Sequence, residues 1–248
     1  METLQGFPDD CIDLTVTSPP YDNLRTYGGH SWDFEGVAQQ LWRVTKPGGV
    51  VVWVVNDATV DGSETGTSFR QALRFMEIGF RLHDTMIWNK PPAGANGSVY
   101  GYSQSAEYMF VLAKGKPSRV HLLRDRLNIS SGSVSAKTAG GRSSKNDGAK
   151  EHGTRIVADF GLRTNVWSVA VGGSAGDTTR HPAVFPESLA RDHILSWSNE
   201  GDIVLDPFSG SGTTAKMAKL MGRQFIGIEV NPEYCEIAEE RLRQGVLF

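Results

Sequence analysis

The 248-residue chain is poor in cysteine: it has two, Cys11 and Cys235, in separate motifs and without metal-ligand spacing. Two reduced thiols are expected, with no disulfide framework and no metal. No apolar run approaches the about 20 residues that cross a bilayer, and no basic-then-apolar leader opens the chain. A cytoplasmic protein with no membrane partner is therefore expected. A strong net charge is also lacking, at −3. That near-balance hides a segregation. Between Lys114 and Arg163 eleven Lys and Arg stand against four acids, a local +7 that leaves −10 for the rest. A basic stretch on an acidic body suits a polyanionic partner, although a solvated loop has the same composition. Hydrophobic residues are not scarce. At 39%, with 21% charged, they exclude wholesale disorder and permit a sizeable core.

Punctuation along the chain is clear at both ends. "IDLTV" (Ile12–Val16) reads as a short buried strand. Phe34, Val37, Leu41 and Val44 keep a helical spacing that stops at Lys46-Pro47-Gly48-Gly49. Val50–Asp57 is continuously apolar, as a strand buried on both faces is. A helix over Ser68–Gly79 and strands over Phe80–Lys90 and Ala106–Gly115 follow. From there to about Asn165 the pattern fails. The Ser-, Gly- and Lys-rich run from Asn128 to Thr154 predicts a loop, mobile until something binds. Order returns with a helix over Phe185–Ser198, a strand over Ile203–Leu205, a glycine loop, a helix over Thr213–Met221, a strand over Phe225–Val230 and a helix over Pro232–Gln244. Alternating strands and helices predict an α/β fold, a doubly wound, mostly parallel sheet. The last unit cannot cover a sheet alone, so its strands must lie beside those of the N-terminal end.

"VLDPFSGSGTTA" (Val204–Ala215) follows a strand and opens a helix. Gly210, Gly212 and Ala215 fit the dinucleotide fingerprint, whose glycines allow a tight turn and close backbone approach. Glu229 ends the next strand, where a carboxylate can accept from both ribose hydroxyls. A plain structural turn is the bland reading. NAD is the chemical rival, but Asp206-Pro207 set a carboxylate just before the glycines, where it repels a pyrophosphate and attracts an ammonium. A cofactor with adenine, ribose and an ammonium is S-adenosylmethionine.

"TSPPY" (Thr17–Tyr21) sits where the first strand ends. An amine conjugated to a base ring is a poor nucleophile because its lone pair is delocalised. Acceptors that draw its hydrogens out of the ring plane favour the pyramidal nitrogen that attacks a methyl sulfonium. The Ser18 hydroxyl oxygen and the Pro19 carbonyl, held by the rigid Pro19-Pro20 turn, are candidate acceptors. Tyr21 is a candidate platform for a base extruded from its duplex. A turn with no chemistry is the alternative, and the glycine loop in the same chain weighs against it.

These motifs make the chain resemble the amino DNA methyltransferases that modify N4 of cytosine or N6 of adenine, in the permuted order of the β class. The catalytic motif is "TSPPY", followed by a unit resembling "LWRVTKPGGVVVW" (Leu41–Trp53). "HPAVFPESL" (His181–Leu189) is similar to the segment lining the methionine end of the cofactor. "DPFSGSGTT" (Asp206–Thr214) and "FIGIEVNPEYCEIAEERL" (Phe225–Leu242) match the cofactor motif and its ribose acid. The resemblance implies a Rossmann-like sheet in permuted order, with a catalytic half over 1–90, an inserted target-recognition region over 91–164 whose strand near 106–114 belongs to the sheet, and a cofactor half over 165–248. It implies catalytic Ser18, Pro19, Pro20 and Tyr21, and cofactor contacts from Asp206, Pro207, Phe208, Gly210, Gly212, Thr213, Thr214, Glu229 and His181. The target is a flipped base in double-stranded DNA. Relatives often carry an extra strand ending in Gly-Asp before the first strand; "METLQGFPDD" is too short for it. Serine at position 18, rather than aspartate, leans toward cytosine, yet adenine enzymes share "SPPY".

DNA contact is assigned to the inserted region, through Arg119, Arg124, Arg126, Lys137, Arg142 and Lys145. A homodimer is expected, as is common in this class. Two other readings compete: a non-catalytic DNA-binding regulator that keeps the fold, and a methyltransferase acting on a glutamine side chain. The intact Ser18–Tyr21 turn disfavours the first. The permuted order and the basic insert disfavour the second.

Overall fold

A computed structural model describes residues 2–21, 32–91, 102–136, 154–171 and 185–243. Short α1 (Glu2–Gln5) precedes β1 (Ile12–Thr17), every residue of which is buried. The N-terminal segment thus forms a helix rather than the extra strand of some relatives. α2 (Phe34–Val44) is capped by Asp33, whose carboxylate accepts from the Gly36 N–H at 3.1 Å, and it buries Val37, Leu41 and Val44. β2 (Thr45–Val55) follows without a loop. The helix ends at Val44, just before the expected stop at Lys46–Gly49, but those four residues belong to β2 rather than to a turn ahead of it. Thr45 already pairs with Ile12, and two residues later along β1 Leu14 meets Val50, so the Pro-Gly-Gly segment is absorbed as an irregularity in the strand. Pairing on both flanks overrides the local turn signal.

β3 (Thr59–Val60) and β4 (Ser63–Glu64) form a small exposed ladder before α3 (Thr67–Ile78). Asp57 serves that helix start: its carboxylate accepts from Ser68 N at 2.8 Å and Ser68 Oγ at 2.6 Å, so it closes a turn. β5 (Arg81–Asn89) and β6 (Ala106–Ala113) come next. β7 (Arg126–Leu127), β8 (Val134–Ala136), β9 (Thr154–Ile156) and β10 (Phe160–Gly161) lead to β11 (Val166–Ser168), a strand the sequence reading did not find. α4 (Glu187–Trp197), β12 (Ile203–Asp206), α5 (Thr213–Leu220), β13 (Gln224–Gly227) and α6 (Pro232–Arg243) complete the chain, close to their expected positions.

Two compact units result, Met1–His121 with Asn165–Phe248, and Leu122–Thr164. The smaller one lies inside the recognition region expected over 91–164. It contains two antiparallel ladders, β7 with β10 and β8 with β9, and an Arg163–Asp125 ion pair that holds the Asp125 carboxyl below its usual range. Part of the expected loop is therefore ladder; the stretch 137–153 lies outside the described residues.

The larger unit holds a seven-stranded sheet in the order β11-β5-β6-β2-β1-β12-β13. All strands run parallel except β6, which is antiparallel to β2 and β5. One face carries the aromatic core of α2 and α3, where Trp53, Phe75 and Phe110 pack with Val51, Val55 and Leu112. On the other, His193 of α4 is buried with Nε2 3.3 Å from Met109 Sδ of β6. Trp53, Trp88, Trp167 and Trp197 are buried. The polarity of the strands matters most. The C-terminal ends of β1, β2, β5, β12 and β13 share one edge with the start of β6, the edge where open α/β sheets bind ligands.

Candidate active site

β1 and β12 are parallel neighbours, Leu14 opposite Val204 and Thr15 opposite Leu205. The two chain-distant motifs therefore begin side by side. Thr17 Oγ1 donates to Asp206 Oδ1 at 2.6 Å, and Thr214 Oγ1 donates to the Val16 carbonyl at 3.2 Å. The "SPPY" turn and the glycine loop are tied together at their roots.

From β1 the chain enters Ser18, half-buried, and Pro19, buried. Ser18 Oγ lies 2.8 Å from Tyr21 Oη. Tyr21 Oη in turn donates to Glu107 Oε2 at 2.7 Å, and Lys90 Nζ donates to Glu107 Oε1 at 2.6 Å. Lys90 follows β5 and Glu107 opens β6, so both reach the site edge because β6 runs backwards. Glu107 is the lone acid in an apolar strand, 8% exposed, and that isolation was the signal the sequence reading passed over.

From β12 the chain enters Asp206, which is buried. Desolvation, and to a lesser degree the nearby Glu229 charge, push its carboxyl up to about 6, against the hydrogen bonds from Thr17 and Phe208 N and the nearby Thr214 hydroxyl. Among the described residues no Lys or Arg pairs with it. A buried carboxylate without a cation is what the ammonium of S-adenosylmethionine would complete, so the residues present fit that cofactor. Phe208 packs its ring against Trp32, centroids 4.9 Å apart.

The loop that follows is braced on two sides. Gly210 N donates to Glu229 Oε2 at 2.8 Å, while Val230 N and Asn231 N donate to Oε1, both at 2.9 Å. Expected ribose acid and glycine loop thus clasp each other, which leaves lone-pair capacity on Oε2. Gly212 caps α5 at φ 77°, and a Cβ there would stand 2.7 Å from the Ala238 Cβ of α6, so a glycine is required twice over. Behind the loop, buried Arg241 of α6 donates to the Ser211 carbonyl at 2.8 Å, Ser211 Oγ at 2.9 Å and Thr213 Oγ1 at 3.2 Å, and to Glu187 Oε1 at 2.9 Å. The hydroxyls of Thr213 and Thr214 therefore hold the loop in shape.

The basic residues divide differently. Arg119 belongs to the larger unit and is ion-paired with Asp13 Oδ1 at 3.0 Å and Asp202 Oδ2 at 2.5 Å. Arg124 and Arg126 are exposed in the smaller unit, Arg126 Nε donating to the Leu162 carbonyl at 3.0 Å. His181, Lys137, Arg142 and Lys145 lie outside the described residues. Cys11 and Cys235 are free and half-buried, and burial pushes both thiols up. Among the described residues no group of His, Cys, Asp and Glu could hold a metal, and no helix is long and apolar enough to cross a membrane.

The family model described as DNA methylase, for N6 and N4 methylation, matches residues 12–240. The chain belongs to the N6/N4 DNA methylases. Among curated relatives of this methylase, orphan methyltransferase M.BamHII of Bacillus amyloliquefaciens is 54% identical over 96% of this chain and 91% of its own. Type II methyltransferase M.BglII of Bacillus subtilis is 30% identical, over 98% and 66%. The fold is that of the cytosine-N4-specific PvuII DNA methyltransferase, with a TM-score of 0.73 at 21% identity, covering 99% of this chain and 84% of that one. The M1.HpyAVI–SAM complex superposes with a TM-score of 0.61 at 25% identity, over 94% and 90%. As a member of this family the methylase acts on DNA and takes its methyl group from S-adenosylmethionine.

Proposed function

We propose that the methylase transfers the methyl group to the exocyclic amine of a base flipped out of double-stranded DNA, N4 of cytosine or N6 of adenine. Ser18 in place of aspartate leans to cytosine. The observation that carries the reading is the Thr17–Asp206 hydrogen bond, which puts "SPPY" and the glycine loop on one sheet edge.

When bound, S-adenosylmethionine supplies an electrophilic methyl on a sulfonium. Asp206 would hold its ammonium and Glu229 its ribose, with Pro207 and Phe208 an apolar wall and the backbone of Gly210, Gly212, Thr213 and Thr214 the floor. His181, by resemblance, lies toward the methionine end. Ser18 Oγ and the Pro19 carbonyl accept the amine hydrogens, so that the nitrogen lone pair leaves conjugation and points at the methyl. Pro20 keeps the turn rigid, and the Tyr21 ring stacks on the base. After transfer the nitrogen loses a proton to water. Recognition is assigned to 91–164, with Arg124, Arg126, Lys137, Arg142 and Lys145 on phosphates. Arg119, held by two carboxylates, serves the sheet instead. The catalytic and cofactor halves are 1–90 and 165–248. We place the protein in the cytoplasm as a homodimer, acting alone or beside a restriction partner.

Incubation with DNA and labelled S-adenosylmethionine, digestion to nucleosides and mass spectrometry tests this. N4-methyldeoxycytidine or N6-methyldeoxyadenosine is expected. Cofactor binding with label in protein glutamine, or with no labelled nucleoside at all, overturns it in favour of the two rival readings.

A further inference from the structure

Four side chains at the site edge form one hydrogen-bonded line: Lys90, Glu107, Tyr21, Ser18. Chemistry fixes the direction of every link. An ammonium only donates and an ionised carboxylate only accepts. Lys90 Nζ gives a hydrogen to Glu107 Oε1 at 2.6 Å. Tyr21 has a single hydroxyl hydrogen, and its oxygen lies 2.7 Å from Glu107 Oε2, so that hydrogen goes to the carboxylate. The 2.8 Å contact between Tyr21 Oη and Ser18 Oγ then has one polarity left: Ser18 donates and Tyr21 accepts. The serine hydrogen is turned toward Tyr21, and Ser18 Oγ offers lone pairs alone to any other partner.

We infer that Glu107, through Tyr21, makes Ser18 an obligate acceptor for the target amine, with Lys90 ion-paired to Glu107 and holding it in place. This rests on the function proposed above. A free serine hydroxyl can also donate, and a hydrogen donated to the amine lone pair would block the electrons that must attack the methyl group. The device removes that wrong orientation before the base arrives. It also explains the sequence: a glutamate that is 8% exposed in an apolar strand is costly unless its partners matter. Glu107 and Lys90 are positioning residues. Tyr21 acquires a second role, carried by its hydroxyl and separable from stacking by its ring.

The cross-strand pair of Lys90 and Glu107 also ties β5 to β6, so the test needs a readout that a purely structural role leaves alone. Single-turnover methyl transfer would be measured with enzyme in excess, tritiated S-adenosylmethionine and genomic DNA from a methylation-deficient bacterium. Tyr21→Phe keeps the ring and removes the hydroxyl. Its transfer rate should fall about 10- to 100-fold, with cofactor affinity and melting temperature unchanged. Glu107→Leu should fall by a similar factor, and the double variant should be no slower than the slower single one, because both break the same line. Tyr21→Phe at the wild-type rate, or two losses that multiply in the double variant, overturns the inference while the proposed function stands. Wild-type protein that binds the cofactor yet labels no DNA overturns both. Should Glu107→Leu not fold, the Tyr21→Phe rate decides alone.

Discussion

Two buried aspartates lie on adjacent strands of the same sheet, at opposite edges. Asp13, near the start of β1, receives Lys46 Nζ at 2.7 Å, Arg119 at 3.0 Å and the Ile203 N–H at 3.0 Å. Asp206, at the end of β12, receives hydroxyls and one backbone N–H but, among the described residues, no cation, and its carboxyl rises to about 6. The first has two cations beside it in the fold. The second has, among the described residues, no cation beside it, which is the setting proposed above for the ammonium of the cofactor. One aspartate ties β1 to its neighbours; the other, in the proposed function, receives the cofactor's cation.

The sharpest break in that contrast comes from Asp206→Asn. Cofactor affinity, read by calorimetry, should weaken about 100- to 1000-fold, the loss of about 3–4 kcal/mol expected when a desolvated charge loses its partner. The melting temperature should hold or rise, since a strained carboxylate has been removed. Asp13→Ala should do the reverse. It leaves Lys46 without its carboxylate and Arg119 with Asp202 alone, and because both cations reach water the cost should be about 2–3 kcal/mol in urea unfolding, below that of a fully buried pair. The folded fraction should still bind cofactor normally.

Protonation sharpens the comparison further. The folded Asp206 binds its proton more tightly than the unfolded chain does, so its contribution to stability is full below about pH 4 and is lost as pH rises toward and through about 6. Cofactor binding runs the other way, because an ammonium needs the ionised form. The dissociation constant at pH 5 should be about tenfold weaker than at pH 7. Asp206→Asn should flatten both trends. The smallest effect separates the arginines. Arg124→Gln with Arg126→Gln should lower the slope of log affinity for DNA against log salt by about 2, whereas Arg119→Gln should leave it unchanged.

Much of the site was legible because its signals are local. The strand before "SPPY", the glycines after Asp206 and the acid at Glu229 are read from spacing, and parallel neighbours follow from a final unit too small to stand alone. What escaped depends on partners far along the chain. Lys46-Pro47-Gly48-Gly49 ended a helix on paper, with the next strand opening at Val50, and in space those four residues sit inside β2, because β1 pairs on either side of them. β11 is three residues long and is defined by its pairing with β5. Glu107 gains its meaning only from Tyr21, 86 residues away, brought near by the reversed β6. Arg119 counted as a phosphate contact by composition and turned out to bridge two carboxylates, because charge runs record nothing about who is already paired.

Arg241 carries a practical corollary. It lies in the last turn of α6, yet its guanidinium grips the loop around Ser211 some thirty residues upstream. Anyone trimming the protein for crystallisation should place the cut beyond that arginine, because a shorter version would keep every recognised motif and still have lost the clamp that shapes one of them.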